Sequence, residues 1–177
     1  MSGLVGELAE TYGTESFDPH VTLLSLFETT EDGRREVERK LSAIAQQTPS
    51  FRMDLETTPS TGKSFFQCLF LLCQASGELS ALHEAVKSSL KETAGVVLKL
   101  ANPRYMPHLS LLYSGVGEEG KGEARAMAGA KIKSALGDGA EAISVGVASF
   151  DLYETPMGSE DNTTKHWRRV SEFALAE

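Results

Sequence analysis

Apolar positions in this chain alternate between two periods, and the switches between them mark out helices and strands. Leu4, Leu8 and Tyr12 make a short stripe at helical spacing. Phe17-Asp18-Pro19 leads into an apolar run from His20 to Phe27, a strand opened by proline where its missing N–H does least harm. Thr30 is placed to cap a helix running to about Gln47, with Val37, Leu41 and Ile44 on one face. Phe51 to Glu56 alternates apolar and polar, which predicts a strand with one wet face. Pro59 and Gly62 mark a hairpin turn over Thr58 to Ser64, into a buried strand from Phe65 to Cys73. Leu79, Leu82, Val86 and Leu90 predict a helix from about Glu78 to Thr93, ended by Gly95. Val96 to Leu100 is a short strand, and Pro103 breaks the chain before another strand over His108 to Ser114. An alanine-rich helix follows from about Glu118 to Leu136. Ile143, Val145 and Val147 alternate, then Phe150 and Leu152 take the other parity, predicting a bulge near Ser149. A polar loop over Glu154 to Lys165 precedes a last strand, Trp167 to Leu175.

Strands and helices are thus intermixed, with several hairpin-like links. That order predicts an α+β fold with antiparallel sheets, not a doubly wound parallel one. No stretch is long enough to be a flexible linker, so residues 1–177 read as a single domain.

Composition narrows the function classes. A content of 41% apolar and 24% charged residues is that of an ordinary globular protein, not a disordered one. The longest apolar run, Leu69 to Cys73, is far below the roughly 20 residues of a membrane span, and the first residues lack a basic, then apolar, leader pattern. A cytoplasmic protein with no membrane partner is expected. The net charge of −8 argues against a stable nucleic-acid complex but leaves room for a local patch around a small phosphate-bearing substrate. Cys68 and Cys73 lie five apart on the buried strand, too far for one disulfide, and read as small core residues.

One repeat carries chemistry. Phe17-Asp18-Pro19-His20-Val21-Thr22-Leu23-Leu24 and Tyr105-Met106-Pro107-His108-Leu109-Ser110-Leu111-Leu112 share an aromatic residue, proline, histidine, an aliphatic residue, a hydroxyl and two leucines in register. A repeat half a chain apart predicts two similar lobes, each supplying one strand to a shared centre. In each strand the histidine and the hydroxyl residue project from one face, about 7 Å apart. Two such strands offer His20 and His108 on opposite sides of a bound group, with Thr22 and Ser110 beside them. With an unperturbed pKa of about 6.5, one imidazole can be neutral while the other is protonated. The pair suits displacement at phosphorus: one ring takes a proton from water, the other gives one to the departing alkoxide. The two hydroxyls can hold the non-bridging oxygens. Neither metal nor cofactor is required. A zinc site would need three or four ligands, and there is no His-x-His, His-Glu-x-x-His or Cys-x-x-Cys spacing.

At these residues the chain resembles the two-histidine (2H) phosphoesterase superfamily, defined by two His-x-[Thr/Ser] motifs. Within it, the chain is most similar to the plant and fungal-type cyclic nucleotide phosphodiesterases. The likeness rests on Pro19-His20-Val21-Thr22, on Thr61-Gly62-Lys63-Ser64-Phe65-Phe66-Gln67-Cys68 with the following Leu69-Phe70-Leu71-Leu72, and on Tyr105 to Tyr113. It implies a bilobal α+β fold, two antiparallel sheets flanked by helices around a central cleft, with a pseudo-two-fold axis. It also implies metal-free hydrolysis of ADP-ribose 1″,2″-cyclic phosphate to ADP-ribose 1″-phosphate, and of nucleoside 2′,3′-cyclic phosphates to 2′-phosphates. His20 and His108 would be the acid–base pair, with Thr22 and Ser110 the phosphate donors. The near-symmetric pair leaves open which ring is the base, and the likeness inclines the assignment to His108 as base and His20 as acid. Phe66 and Tyr113 match aromatic positions of the substrate cleft, and Thr61 would shape its rim.

Strict alternation sets Tyr113 on the face away from His108, so it reaches the site only if the strand ends or twists there. Lys63 and Arg104 read as solvated charges that could also draw in a pyrophosphate. His83 and His166 lack a hydroxyl two residues on and are not assigned to the site. The family opens with a strand ahead of the first helix, which this chain does not show, so either the start is truncated or one lobe carries an uncovered edge. Two other activities fit the motif: a phosphodiesterase of RNA ends resembling 2′-5′ ligases, and a non-catalytic nucleotide-binding module. A monomer is expected.

Overall fold

Thr30 caps the second helix as its position suggests, its hydroxyl accepting the Gly33 N–H at 3.1 Å, and Ser76 does the same for Leu79 at 3.1 Å on the third. In the computed structural model, residues 1–25, 27–74, 76–99, 104–137, 139–155 and 163–177 are described. The elements in chain order are α1 (Ser2–Thr11), β1 (Phe27–Thr29), α2 (Glu31–Gln47), β2 (Phe51–Glu56), β3 (Ser60–Thr61), β4 (Leu69–Leu72), α3 (Gly77–Lys91), β5 (Val96–Leu98), β6 (His108–Leu112), α4 (Glu118–Leu136), β7 (Ala142–Val147), β8 (Ser149–Glu154) and β9 (Arg168–Ala174). A single 3-10 turn, Phe65–Gln67, precedes β4.

The fold is α+β, with antiparallel pairing in every ladder between these strands. Its strands form four small sheets, β3-β4-β6, β2-β7, β1-β5 and β8-β9, where two larger ones were expected. They gather around two cores. In the first, α1 and α4 cover β4 and β6 through Val5, Leu8, Ala124, Ala128 and Ile132, which meet Leu69, Leu71, Leu109 and Leu111. A Leu55–Cys73 bridge links β2 to the end of β4. In the second, α2 and α3 bury Val37, Leu41, Leu82, Val86 and Leu90 against Leu152, Phe173 and Leu175. Leu111 and Leu112 of the second repeat are fully buried, contributing roughly 1.5–3 kcal/mol each, while Leu23 and Leu24 of the first are half-buried.

Three elements differ from the sequence reading. The first Pro-His segment is not a regular strand: Val21 makes one antiparallel bridge, to Leu109, the chain bends at Leu23 and Leu24, and the ladder resumes only at Phe27. Side chains take over the missing ladder, because the Thr22 and Leu23 carbonyls accept from the Tyr105 hydroxyl and the His83 ring. The expected strand from Phe65 begins with the 3-10 turn, where Ser64 accepts the Gln67 N–H. The parity change near Ser149 is a change of sheet rather than a bulge: β7 pairs with β2, and after Ala148 β8 pairs with β9. Leu100, Pro103 and the middle of the polar loop, 156–162, lie outside the described residues.

Candidate active site

The Val21–Leu109 bridge sets the geometry of the two motifs. In an antiparallel pair with these residues opposite each other, His20 lies opposite Ser110 and Thr22 opposite His108. Val21 and Leu109 point into the first core, so the four intervening positions share the other face. The two histidines then sit on one diagonal of this square, about 7–8 Å apart at the backbone, and the two hydroxyl residues sit on the other. All four line one cavity of about 2140 Å³ that runs between the lobes.

Both imidazoles are oriented in the same way. His20 Nδ1 lies 2.7 Å from the Asp18 carbonyl, and His108 Nδ1 lies 2.9 Å from the Met106 carbonyl. A carbonyl only accepts, so each Nδ1 carries a hydrogen, and in the neutral ring Nε2 keeps its lone pair. The residue two before each histidine therefore sets its tautomer, a detail of the repeat that the residue types alone do not reveal. Phe70, paired with Ser110 across β4 and β6, tilts against the His108 ring at 5.0 Å.

Tyr113 belongs to this face, and a bulge brings it there. The β4–β6 register shifts between Leu69 and Phe70, which pair with Leu112 and Ser110, so Leu111 is an extra residue. Leu111 and Leu112 are both buried in the core, and the alternation resumes one residue late. The Tyr113 hydroxyl lies 3.4 Å from His20 Nε2 and near the Ser110 side chain. Burial pushes the phenol's pKa up, against the opposing influence of Ser110. Its ring stacks on Phe17 at 4.0 Å and meets Phe66 edge-on at 5.2 Å.

Phe66 lines the cavity and stacks at 5.9 Å on Trp167, a residue the sequence places at the start of the last strand but not in the site. Trp167 also presents its ring to His20 at 6.0 Å. The sequence signal for it is the chain's only tryptophan standing at a strand start, outside both histidine motifs. Thr61 does not line the cavity. It pairs with Leu69 on β3, and Gly62 beside it packs so close that a Cβ would meet the Gln67 carbonyl at 2.3 Å, so Thr61-Gly62 serves the hairpin. Arg104 lines the cavity, whereas Lys63 lies outside its lining and its charge is felt by Glu118. His166 is exposed and outside the cavity lining. Burial raises the Cys68 thiol and pushes the Cys73 thiol up to about 12, which makes both poor nucleophiles. Among the described residues, no three His, Cys, Asp or Glu side chains converge as a metal-ligand set.

A family model described as the 2′-5′ RNA ligase superfamily matches residues 9–155, a span that includes both motifs. The chain belongs to this superfamily. It is 29% identical to a cyclic phosphodiesterase of Arabidopsis thaliana over 169 residues, 95% of this chain and 83% of that protein. Among solved structures, E. coli LigT complexed with 3′-AMP superposes with a TM-score of 0.61 at 14% identity, covering 100% of this chain and 94% of that one. A structure described as a phosphoesterase gives a TM-score of 0.59 at 16% identity, over 100% and 94%. These likenesses show that the superfamily's bilobal α+β fold is the fold of this chain. Among the described residues, no helix is long and apolar enough to cross a membrane.

Proposed function

We propose that this chain, acting as one bilobal domain, is a cyclic phosphodiesterase that opens cyclic phosphates on small nucleotides without a metal. The observation that carries this reading is the Val21–Leu109 bridge, which places two imidazoles and two hydroxyls on one face of a cavity. The superfamily match and the Arabidopsis relative support the reaction class. A cyclic phosphodiester enters with its phosphorus over the square. The neutral ring takes a proton from water through Nε2 as the oxygen attacks phosphorus, and the protonated ring donates from Nε2 to the ester oxygen that leaves. Each Nδ1–H stays on its carbonyl throughout, so neither ring turns during the transfer. Thr22 and Ser110 donate to the non-bridging oxygens as charge builds on them. Phe66, Tyr113 and Trp167 form an aromatic wall on which a base or ribose stacks. The substrates that fit are ADP-ribose 1″,2″-cyclic phosphate and nucleoside 2′,3′-cyclic phosphates.

Turnover of 2′,3′-cyclic AMP, ADP-ribose cyclic phosphate and an oligonucleotide ending in a cyclic phosphate, all in EDTA, tests the proposal. Both small substrates should open, with a bell-shaped pH profile. His20→Ala and His108→Ala should each lose about 100-fold or more of the rate. Activity abolished by EDTA would overturn the metal-free scheme. Turnover of the oligonucleotide alone would favour an RNA-end enzyme, and nucleotide binding without turnover a binding module.

A further inference from the structure

His83 is a buried histidine that the chemistry above leaves unused. It lies on α3 with only 7% of its surface exposed, among leucines of the second core. A buried imidazole N–H needs an acceptor. His83 Nδ1 finds one 60 residues away, the Leu23 carbonyl at 2.7 Å, so Nδ1 is the protonated nitrogen. Its ring lies flat on Tyr105, with centroids 3.8 Å apart and planes within 5°. The Tyr105 hydroxyl in turn donates to the Thr22 carbonyl at 3.3 Å. Two stacked rings therefore hold two consecutive carbonyls of the first motif, where the strand ladder is reduced to one bridge. Tyr105 also opens the second motif, and the carbonyl of the next residue, Met106, orients His108.

We propose that His83 and Tyr105 are positioning residues, a stacked pair that holds the Thr22–Leu23 backbone so that His20 and Thr22 face the phosphate. Thr22 is exposed to the cavity and has Leu23 and Leu24 bending away behind it. A chain held by one bridge can swivel about it. Fixing the next two carbonyls removes that freedom and sets where the hydroxyl points. A misplacement on the scale of 1 Å at reacting groups costs about 100-fold in rate. The aromatic wall for the base stands on other elements, so loss of the pair should lower kcat and leave KM nearly unchanged.

This inference rests on the proposed activity, and four folded variants test it with 2′,3′-cyclic AMP. His83→Phe keeps the stacked ring and removes the donor; kcat should fall about 10- to 100-fold with KM within about threefold. Tyr105→Phe, which loses only its hydroxyl, should fall by about 3- to 10-fold, and the double variant by less than the product, since both act on one segment. His83→Asn restores an N–H near the Nδ1 position and should recover most of the lost kcat. Wild-type kcat in His83→Phe would overturn the proposal, as would an Asn variant no better than Phe. Amide exchange separates this outcome from failure of the proposed activity. Even if the wild type turned over no cyclic phosphate, His83→Phe should speed exchange at Val21 to Leu24 by tenfold or more while α3 and β6 stay protected. Unchanged exchange there would overturn the positioning role by itself.

Discussion

Tyr113 shows how one side chain can join two functions of the site. Its hydroxyl stands between His20 Nε2 and Ser110, and its ring forms part of the aromatic wall. Because burial raises its pKa, the phenol keeps its proton throughout the neutral range and remains a donor. Tyr113→Phe removes the hydroxyl but leaves the stack on Phe17 in place. We expect kcat to drop about tenfold with little change in KM, below the 100- to 1000-fold of a strong transition-state donor because the contact to His20 is long, at 3.4 Å. Tyr113→Ala also removes the ring and should raise KM as well. Steady-state kinetics on both variants separates the two contributions. A Phe variant with wild-type kcat would show that the hydroxyl has no part in the reaction.

At the scale of elements, strong periods were legible and weak ones were not. The four helices are where the sequence puts them, three by apolar spacing, with Thr30 as the cap of one, and the last by its alanine content, because a helix carries its signal within its own residues. The short strands depend on partners instead. The His20 run looks like a strand by composition, yet its carbonyls are held by His83 and Tyr105, residues distant in sequence. Strict alternation turns Tyr113, matched to the cleft only by the family likeness, away from the site and gives Trp167 no part in it. The reasons are related: one needs a bulge that only the β4 register reveals, and the other is carried into place by a turn. That turn has its own tie. The Glu15 carboxylate accepts hydrogen bonds from Thr163, Thr164 and Lys165, with Lys165 Nζ at 2.9 Å, and these hold its pKa at about 2. A depressed carboxylate holds its partners above its ordinary range and releases them as pH falls through the folded value. The segment before Phe17 thus stays fastened to the turn before Trp167 from neutral pH down to about 3, and loosens toward 2. The lone tryptophan reports this directly. Its fluorescence should show a transition below about pH 3, and Glu15→Gln should show the altered emission already at pH 7, with KM raised several-fold. Identical emission and KM in Glu15→Gln would remove the tie from the account.

At the scale of the molecule, the question is whether two cores behave as one. Leu23, Phe51 and Val147 pack against both clusters, and Val147 lies beside Ala148, where the chain passes from one lobe's sheet to the other's. Leu23 is also the residue whose carbonyl His83 holds, so the first motif is itself part of the join. The repeat in the sequence announced two lobes, because each Pro-His segment needs its own leucines to bury. It did not announce this sharing, which falls on Leu23 within the first segment and on Phe51 and Val147 outside both. Shared side chains make it costly to open one core with the other intact, so unfolding should be a single cooperative step. Leu111→Ala in the first core and Leu90→Ala in the second each empty a fully buried site and should each cost about 2–5 kcal/mol. The decisive reading is whether each substitution moves the whole curve. In urea, Trp167 fluorescence, far-ultraviolet circular dichroism and activity should all shift together to a lower midpoint for either variant. If Leu90→Ala moved only part of the dichroism and left Trp167 and activity at their original midpoint, the lobes would be independent units. The site between them would then be held by docking alone.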